Sequence, residues 1–231
     1  MRRGFSLVEM LVTMSIIIML GVLILPALQR ARLSALRSTD LGNLKQVGVA
    51  IFTYAGENDQ RMPGPTPTGQ RPTYRGTDRV HDAPYLAFYL APYLGCPTPA
   101  TTSSELIVCP PLVSAGLKAV KGATVFNEIN YQVNYGTTNL PGDAVANWRR
   151  SIFGSISYSP PIDPAKIPNL AQAVNMSETW MICNVDQACT APSTMASGWF
   201  PTLPLKPVHG NTRNFLYLDG HAEAVSTTVQ P

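Results

Sequence analysis

The hydrophobic pattern near the start of the chain changes once, and the change divides one predicted helix into two parts. Residues 5 to 28 are apolar on every side of a helix, whereas the stretch that follows keeps a single apolar stripe. The stripe recurs every three or four residues and consists of Leu33, Leu36, Leu44, Val47, Ile51 and Tyr54. Polar residues fall between its members, namely Arg30, Arg37, Asp40, Asn43 and Lys45. We therefore predict one long helix that leaves an apolar environment and docks on a soluble sheet.

The apolar part is long enough to cross a membrane. As a helix it would extend about 36 Å, more than the roughly 30 Å of a bilayer's hydrocarbon core. A secretory signal would end in a small-residue cleavage site, but this segment runs into Pro26 and then QRARLSALR. A core helix this apolar would need protein on all sides. We therefore expect a membrane anchor. Its orientation stays open, because Arg2 and Arg3 flank one side and Arg30, Arg32 and Arg37 flank the other.

Glu9 is a carboxylate inside this apolar segment, where a charge costs up to about 2.5 to 3.5 kcal/mol at mid-bilayer. Two interpretations remain open: Glu9 lies shallow enough to reach headgroup water, or it pairs with a cation. A cut between Gly4 and Phe5 would supply that cation. The new α-amine would lie four residues before Glu9 on the same helical face, in the same chain or a neighbouring one.

Residues 2 to 11, RRGFSLVEML, resemble the N-terminal leader of type IV prepilins and type II secretion pseudopilins. The resemblance implies cleavage after Gly4 by a prepilin peptidase, N-methylation of Phe5, and pairing of Glu9 with a neighbouring subunit's amine. Pro26 matches a helix-kinking proline that many pilins carry at this depth. The implied organisation is a leader peptide at 1–4, a transmembrane and assembly helix at 5–28, and a helix continuation with a soluble head at 29–231.

The rest of the chain predicts short elements between long irregular segments. Residues 56 to 80 contain four prolines and no apolar periodicity, so we predict a surface loop. A short helix follows Asp82-Ala83-Pro84 and ends near Gly95. Strands are predicted at 129–135, where apolar and polar residues alternate, at 152–158 and at 180–185. The fold class is therefore α+β, a pilin-like long helix packed on an antiparallel sheet with long Pro/Gly-rich loops.

Asp219-Gly220 lies between two alternating runs and predicts a β-hairpin. With a two-residue turn, Tyr217 would face Ala222 and Phe215 would face Ala224, which gives a face suited to receive the N-terminal helix. A three-residue bulged turn would shift this pairing.

His209 precedes Asp219-Gly220 by nine intervening residues. This spacing resembles the His, nine residues, Asp-Gly element at the C-terminal end of a large group of prepilin-like proteins. The resemblance supports the fold and export and brings no catalytic residue with it. We expect His209 to make a structural hydrogen bond that ties the preceding loop to the hairpin.

His209, Asp219, His221 and Asp186 are residue types that bind metal ions, but their spacing argues against a metal site. The sequence has no His-x-x-x-His or Cys-x-x-Cys pair, and it lacks the G-x-S-x-G motif of many serine hydrolases. We therefore expect no enzyme activity, no cofactor and no bound metal, with a membrane-tethered metalloenzyme as the weaker hypothesis.

Four cysteines lie outside the apolar segment, in a head expected to face an oxidising compartment. Proximity in sequence favours pairing Cys96 with Cys109 and Cys183 with Cys189, and buried free thiols are the alternative.

The 231 residues include 17 basic and 14 acidic side chains, a net charge of +3 that argues against nucleic acid as a partner. The expected function is that of a single-pass bacterial inner-membrane structural subunit with a periplasmic or extracellular head. Its expected partners are the prepilin peptidase, other pilin-like subunits and inner-membrane lipid, with or without assembly into a filament. The alternative is an anchored binding or adhesin head for glycan or protein. Exposed aromatic and arginine residues would serve such contacts, namely Tyr74, Arg75, Trp148, Arg149 and Arg150.

Overall fold

The computed structural model describes residues 7–79, 84–98, 100, 102–117, 129–134, 152–156, 161–188 and 198–227. Its dominant element is α1, a 51-residue helix from Leu7–Glu57 that continues through Pro26. None of the residues in the most apolar 18-residue window of α1 is buried, and the helix is long and apolar enough to cross a membrane. The predicted long N-terminal helix is confirmed, while a kink at Pro26 stays a prediction.

The head contains an antiparallel sheet of five strands in the order β1-β4-β5-β6-β7. The strands are β1 (Gly69–Gln70), β4 (Tyr131–Val133), β5 (Trp180–Asn184), β6 (Thr212–Tyr217) and β7 (Ala222–Ser226). A second antiparallel pair joins β2 (Thr73–Tyr74) to β3 (Ile107–Val108). The arrangement confirms an α+β layout in which a long apolar helix accompanies an antiparallel sheet.

The second half of α1 packs on one face of this sheet, where it contacts β6 and β7. Leu44, Val47 and Ile51 are fully buried in the same core cluster as Ile182 of β5 and Leu216 of β6. Two short helices, α2 (Leu86–Leu90) and α3 (Ile167–Ala173), add buried leucines to the same core cluster. The stripe therefore packs in the core from Leu44 onward, whereas Leu33 is exposed.

The short predicted helix ends as expected. A 3-10 turn at Ala91–Leu94 continues α2, and the left-handed Gly95, with φ of 67°, terminates it. Asp82 and Ala83, which were predicted to begin this helix, lie outside the described residues.

The prediction of a surface loop at 56–80 is wrong for much of its length. Met62, Thr66 and Gln70 are buried, and so is Tyr74. Backbone hydrogen bonds hold the segment in place, since the N–H of Met62 donates to the carbonyl of Ala165. The prolines correctly predict an irregular backbone. An irregular segment can nevertheless be buried when its backbone polar groups are paired.

The strand predicted at 152–158 is also wrong over its described part, 152–156. Ile152 and Phe153 form a buried turn, and Ser155 makes an isolated bridge with Ile162. Gly154 has a φ of 70°, a left-handed conformation that interrupts an extended strand.

The strands at 131–133 and 180–184 confirm the other two predictions, with one correction. The polar residues Asn130 and Gln132 are buried like their apolar neighbours, so both faces of β4 are covered.

The hairpin has the three-residue turn, and the register is shifted by one from the two-residue prediction. Leu216 faces Ala222, Phe215 faces Glu223, and the N–H of Tyr217 donates to the carbonyl of His221. A one-residue shift exchanges the two faces of a strand. The helix therefore lies against the Leu216 face, whereas Phe215 and Tyr217 belong to a cluster on the opposite face.

Candidate functional site: the junction of helix and head

Asp40 of α1 is a fully buried carboxylate at the base of the head. Its Oδ1 accepts hydrogen bonds from the hydroxyl of Tyr131 at 2.5 Å and from the N–H of Ala115 at 3.0 Å. Its Oδ2 accepts from Nδ2 of Asn214 at 2.8 Å and lies 3.0 Å from Nε2 of His209. Four groups from distant parts of the head thus converge on one side chain of the helix.

The same network extends into the sheet through amide side chains. The N–H of Asn214 donates to Oδ1 of Asn184 at 3.0 Å, and Nδ2 of Asn184 donates to the hydroxyl of Ser114 at 3.0 Å. The N–H of Ser114 in turn donates to Oδ1 of Asn130 at 2.9 Å. Buried polar groups are costly unless they are paired, so these bonds fix one arrangement of α1 against the sheet. Two buried atoms of the network, Nδ1 of His209 and Oδ1 of Asn214, make no hydrogen bond to a described residue.

The surroundings of Asp40 favour its charged form. Burial alone would raise the pKa of this carboxyl, but hydrogen bonds from His209, Tyr131 and Asn214 outweigh burial and hold the pKa below its ordinary value of 3.8. Burial and the neighbouring carboxylate raise the pKa of Tyr131 well above 10, so its hydroxyl remains a donor. Asp40 is therefore a stable acceptor for all of its partners at neutral pH.

Acidification should weaken the junction. Because the folded pKa of Asp40 is lowered, its contribution to stability is full above about pH 5 and is lost as pH falls below 3.8. We expect the urea midpoint of the full chain to fall from neutral pH to about pH 3, with a smaller fall in Asp40→Asn. The exposed Asp59, whose pKa is lowered by Lys166, contributes equally to both proteins. An equal fall of the urea midpoint in the unmodified protein and in Asp40→Asn would contradict a charged Asp40.

His209 and the Asp-Gly turn contact α1 at two separate levels. His209 is buried against Asp40, and the turn contains Gly220, with φ of 90°. A Cβ added at Gly220 would lie 3.3 Å from Cε2 of Phe52. One added at Gly48 would lie 3.1 Å from Cδ1 of Leu216, which leaves little room for a larger residue. The two contact levels, at Asp40 and at Gly48, are about 12 Å apart along the helix.

These contacts give the His, nine residues, Asp-Gly element a physical role in this chain. The ring of His209 makes a hydrogen bond to Asp40 of α1, whereas the sequence predicted a bond that ties the preceding loop to the hairpin. Asp219 stabilises its own turn, since its Oδ1 accepts from the N–H of His221 at 3.0 Å. The two ends of the element, His209 and the Asp219-Gly220 turn, therefore both hold the sheet against α1.

A buried ion pair lies on the other face of the sheet. Nε and Nη2 of Arg213 donate to the two carboxylate oxygens of Asp186 at 2.7 and 2.9 Å. A bidentate pair of this kind is among the stronger side-chain interactions and joins the end of β5 to the start of β6. Asp186 thus pairs with Arg213, while Asp219 stabilises the hairpin turn elsewhere. No group of three metal-ligating residues occurs among the described residues.

The helix position of Asp40 was misread from the sequence. It lies four residues after Leu36 and four before Leu44, so it belongs to the apolar stripe and not between its members. Tyr131, Asn184 and Asn214 were likewise not predicted as functional residues. A lone carboxylate on a buried stripe is the signal that would have found the site.

Cys96 and Cys109 are buried free thiols whose Sγ atoms lie 3.2 Å apart. Burial raises the pKa of Cys109, which keeps the reduced thiol protonated. Cys183 is buried on the far face of the sheet, and Cys189 lies outside the described residues. The disulfide pairings stay predictions.

The remaining sequence-predicted residues divide between the membrane helix and regions outside the described structure. Gly4 and Phe5 lie outside the described residues, and Glu9 is exposed in the first turn of α1. Of the predicted contact residues, Tyr74 is buried and donates to the carbonyl of Pro97, so it is unsuited to an exposed contact. Arg75 is exposed, and 148–150 lie outside the described residues.

No protein-family model, no curated protein and no solved structure matches this chain.

Proposed function

We propose that the chain is a pilin-like structural subunit of the bacterial envelope and not an enzyme. A prepilin peptidase removes residues 1–4, Phe5 becomes the N-methylated first residue, and α1 holds the subunit in the inner membrane. The head lies on the far side of that membrane. Assembly with other pilin-like subunits uses the apolar half of α1.

The observation that carries this proposal is the division of one continuous helix into two environments. Its most apolar 18-residue window is wholly unburied, whereas Leu44, Val47 and Ile51 are fully buried in the head. A separate domain on a flexible tether would need no such continuity. Here the Asp40 network joins α1 to the head, so a mechanical force on the apolar half of α1 would be transmitted directly to the sheet.

The mature N-terminus tests the proposal. We expect top-down mass spectrometry of the protein from its native host to find N-methylated Phe5 as the first residue. Gly4→Leu should retain Met1, because the residue before the cut would no longer be small. Ser6→Ala, on the other side of Phe5, is the matched control and should be processed like the unmodified protein. An intact Met1 in the unmodified chain, or a start anywhere but Phe5, would overturn the proposal.

A further inference from the structure

The helix carries a ring of cations directly below the head. Arg30, Arg32 and Arg37, here called the Arg belt, are the only charged residues of α1 between Glu9 and Asp40. Arg30 and Arg32 are exposed and Arg37 is partly exposed. The belt makes no ion pair with another described residue.

The heights of these groups match the layers of a bilayer. The uncharged stretch from Met10 to Gln29 would extend about 30 Å, the thickness of the hydrocarbon core. The belt follows and covers about 10 Å of helix, so it begins in the headgroup region, which is about 5 to 8 Å deep, and ends just above it. The head begins at the upper end of the Arg belt, where Leu36 packs against Gly116. A Cβ added at Gly116 would lie 3.1 Å from Cδ1 of Leu36.

The angular distribution of the belt favours a surrounding layer over a single protein partner. Arg30 and Arg37 are seven residues apart and share one side of the helix, while Arg32 points roughly to the opposite side. A protein partner would contact one face of the helix. Headgroups of the surrounding lipids contact every face, and arginine binds phosphate through several N–H donors.

We propose that the Arg belt binds the phosphates of anionic phospholipid headgroups and so sets the height of the head above the membrane. This inference rests on the proposed function, because it requires α1 to span the bilayer. Removal of Arg2 and Arg3 with the leader would make the belt the main basic cluster of the mature helix. Each arginine near an anionic surface contributes to such binding, so the three together should give a clear preference for anionic lipid.

Native mass spectrometry of the full-length protein tests this binding. The protein is extracted in detergent containing equal amounts of phosphatidylglycerol and phosphatidylcholine, and retained lipid is counted. We expect about tenfold more phosphatidylglycerol than phosphatidylcholine on the unmodified protein and no preference in R30Q/R32Q/R37Q. R30K/R32K/R37K should retain most of the preference. Lys45→Gln, an exposed charge change higher on the same helix, is the matched control and should retain it fully.

Several outcomes would overturn the lipid assignment. One is equal retention of the two lipids by the unmodified protein, and another is an unchanged preference in the glutamine variant. Displacement of the lipid by inorganic phosphate would identify a free-phosphate site. Loss of multimers without loss of lipid preference would identify a second copy as the partner. The same spectra report the mature N-terminus, so a failure of processing is seen separately from a failure of lipid binding.

Discussion

Asp40→Asn should lower the free energy of unfolding of the full chain by about 3 to 5 kcal/mol, the usual effect of removing one partner from a buried charged network. The amide has nearly the same shape, but it carries no charge and adds two N–H donors that face groups which also donate. Tyr131, Asn214 and the N–H of Ala115 would share a weaker acceptor. Urea unfolding in detergent, followed by tryptophan fluorescence, measures the change, since Trp180 packs against Phe215 in the sheet.

The matched control for this substitution is Asp163→Asn. The side chain of Asp163 is 82% exposed and lies 3.7 Å from Arg61, so its removal should cost less than about 1 kcal/mol. A loss of similar size in the two variants would show that Asp40 does not act through its buried network. An unfolding midpoint unchanged in Asp40→Asn would contradict the role of the junction altogether.

The long helix was predictable because its signals are local. Hydrophobic spacing over a few turns decides where a helix is buried, and the residues from Leu44 to Ile51 follow that spacing. The partners of Asp40 were not predictable in this way. Tyr131, His209 and Asn214 are 91, 169 and 174 residues away in sequence, and no local pattern encodes such a meeting. Only the tertiary arrangement brings these four side chains together.

The hairpin shows a different limit of sequence reasoning. Asp219-Gly220 correctly marked the turn, but the number of residues in the loop decides the strand register. With Leu218 included in the turn, Leu216 and not Phe215 meets the helix. The approach of Gly48 to Leu216 favours this register, because a small residue on α1 accommodates the leucine side chain. Such complementarity between a helix residue and a distant strand residue cannot be read from the hairpin sequence alone.

Two of the three carboxylates of α1, Asp40 and Glu9, lie in different environments along one helix. Asp40 is held by neutral and imidazole donors inside the head, whereas Glu9 is exposed in the apolar half. A charged side chain costs up to about 2.5 to 3.5 kcal/mol at the bilayer centre and less near its edge, where Glu9 lies, unless a cation is nearby. Under the proposed function that cation is the α-amine of Phe5 on a neighbouring subunit. The pair would then favour association while disfavouring a solitary subunit in the membrane.

Glu9→Ala should therefore leave membrane insertion intact and reduce assembly. The substitution removes the cost of a charge in lipid, so extraction should still yield the protein from the membrane fraction. It also removes the partner of the neighbouring amine. If the pair between Glu9 and that amine contributes about 1.4 kcal/mol or more to association, the amount of cross-linked multimer should decrease by about tenfold or more.

Glu9→Gln and Thr13→Ala separate the charge from other effects of this substitution. Glutamine keeps the size of the side chain and loses its charge, so Glu9→Gln should assemble as poorly as Glu9→Ala. Thr13 lies one turn further along α1, and its hydroxyl bonds to the carbonyl of Met10 within the helix, so Thr13→Ala should assemble normally. Quantitative cross-linking before detergent extraction compares the three variants with the unmodified chain. Normal multimers in Glu9→Ala would refute amine pairing even if mass spectrometry finds Phe5 at the N-terminus, because processing and assembly would then be independent properties of the helix.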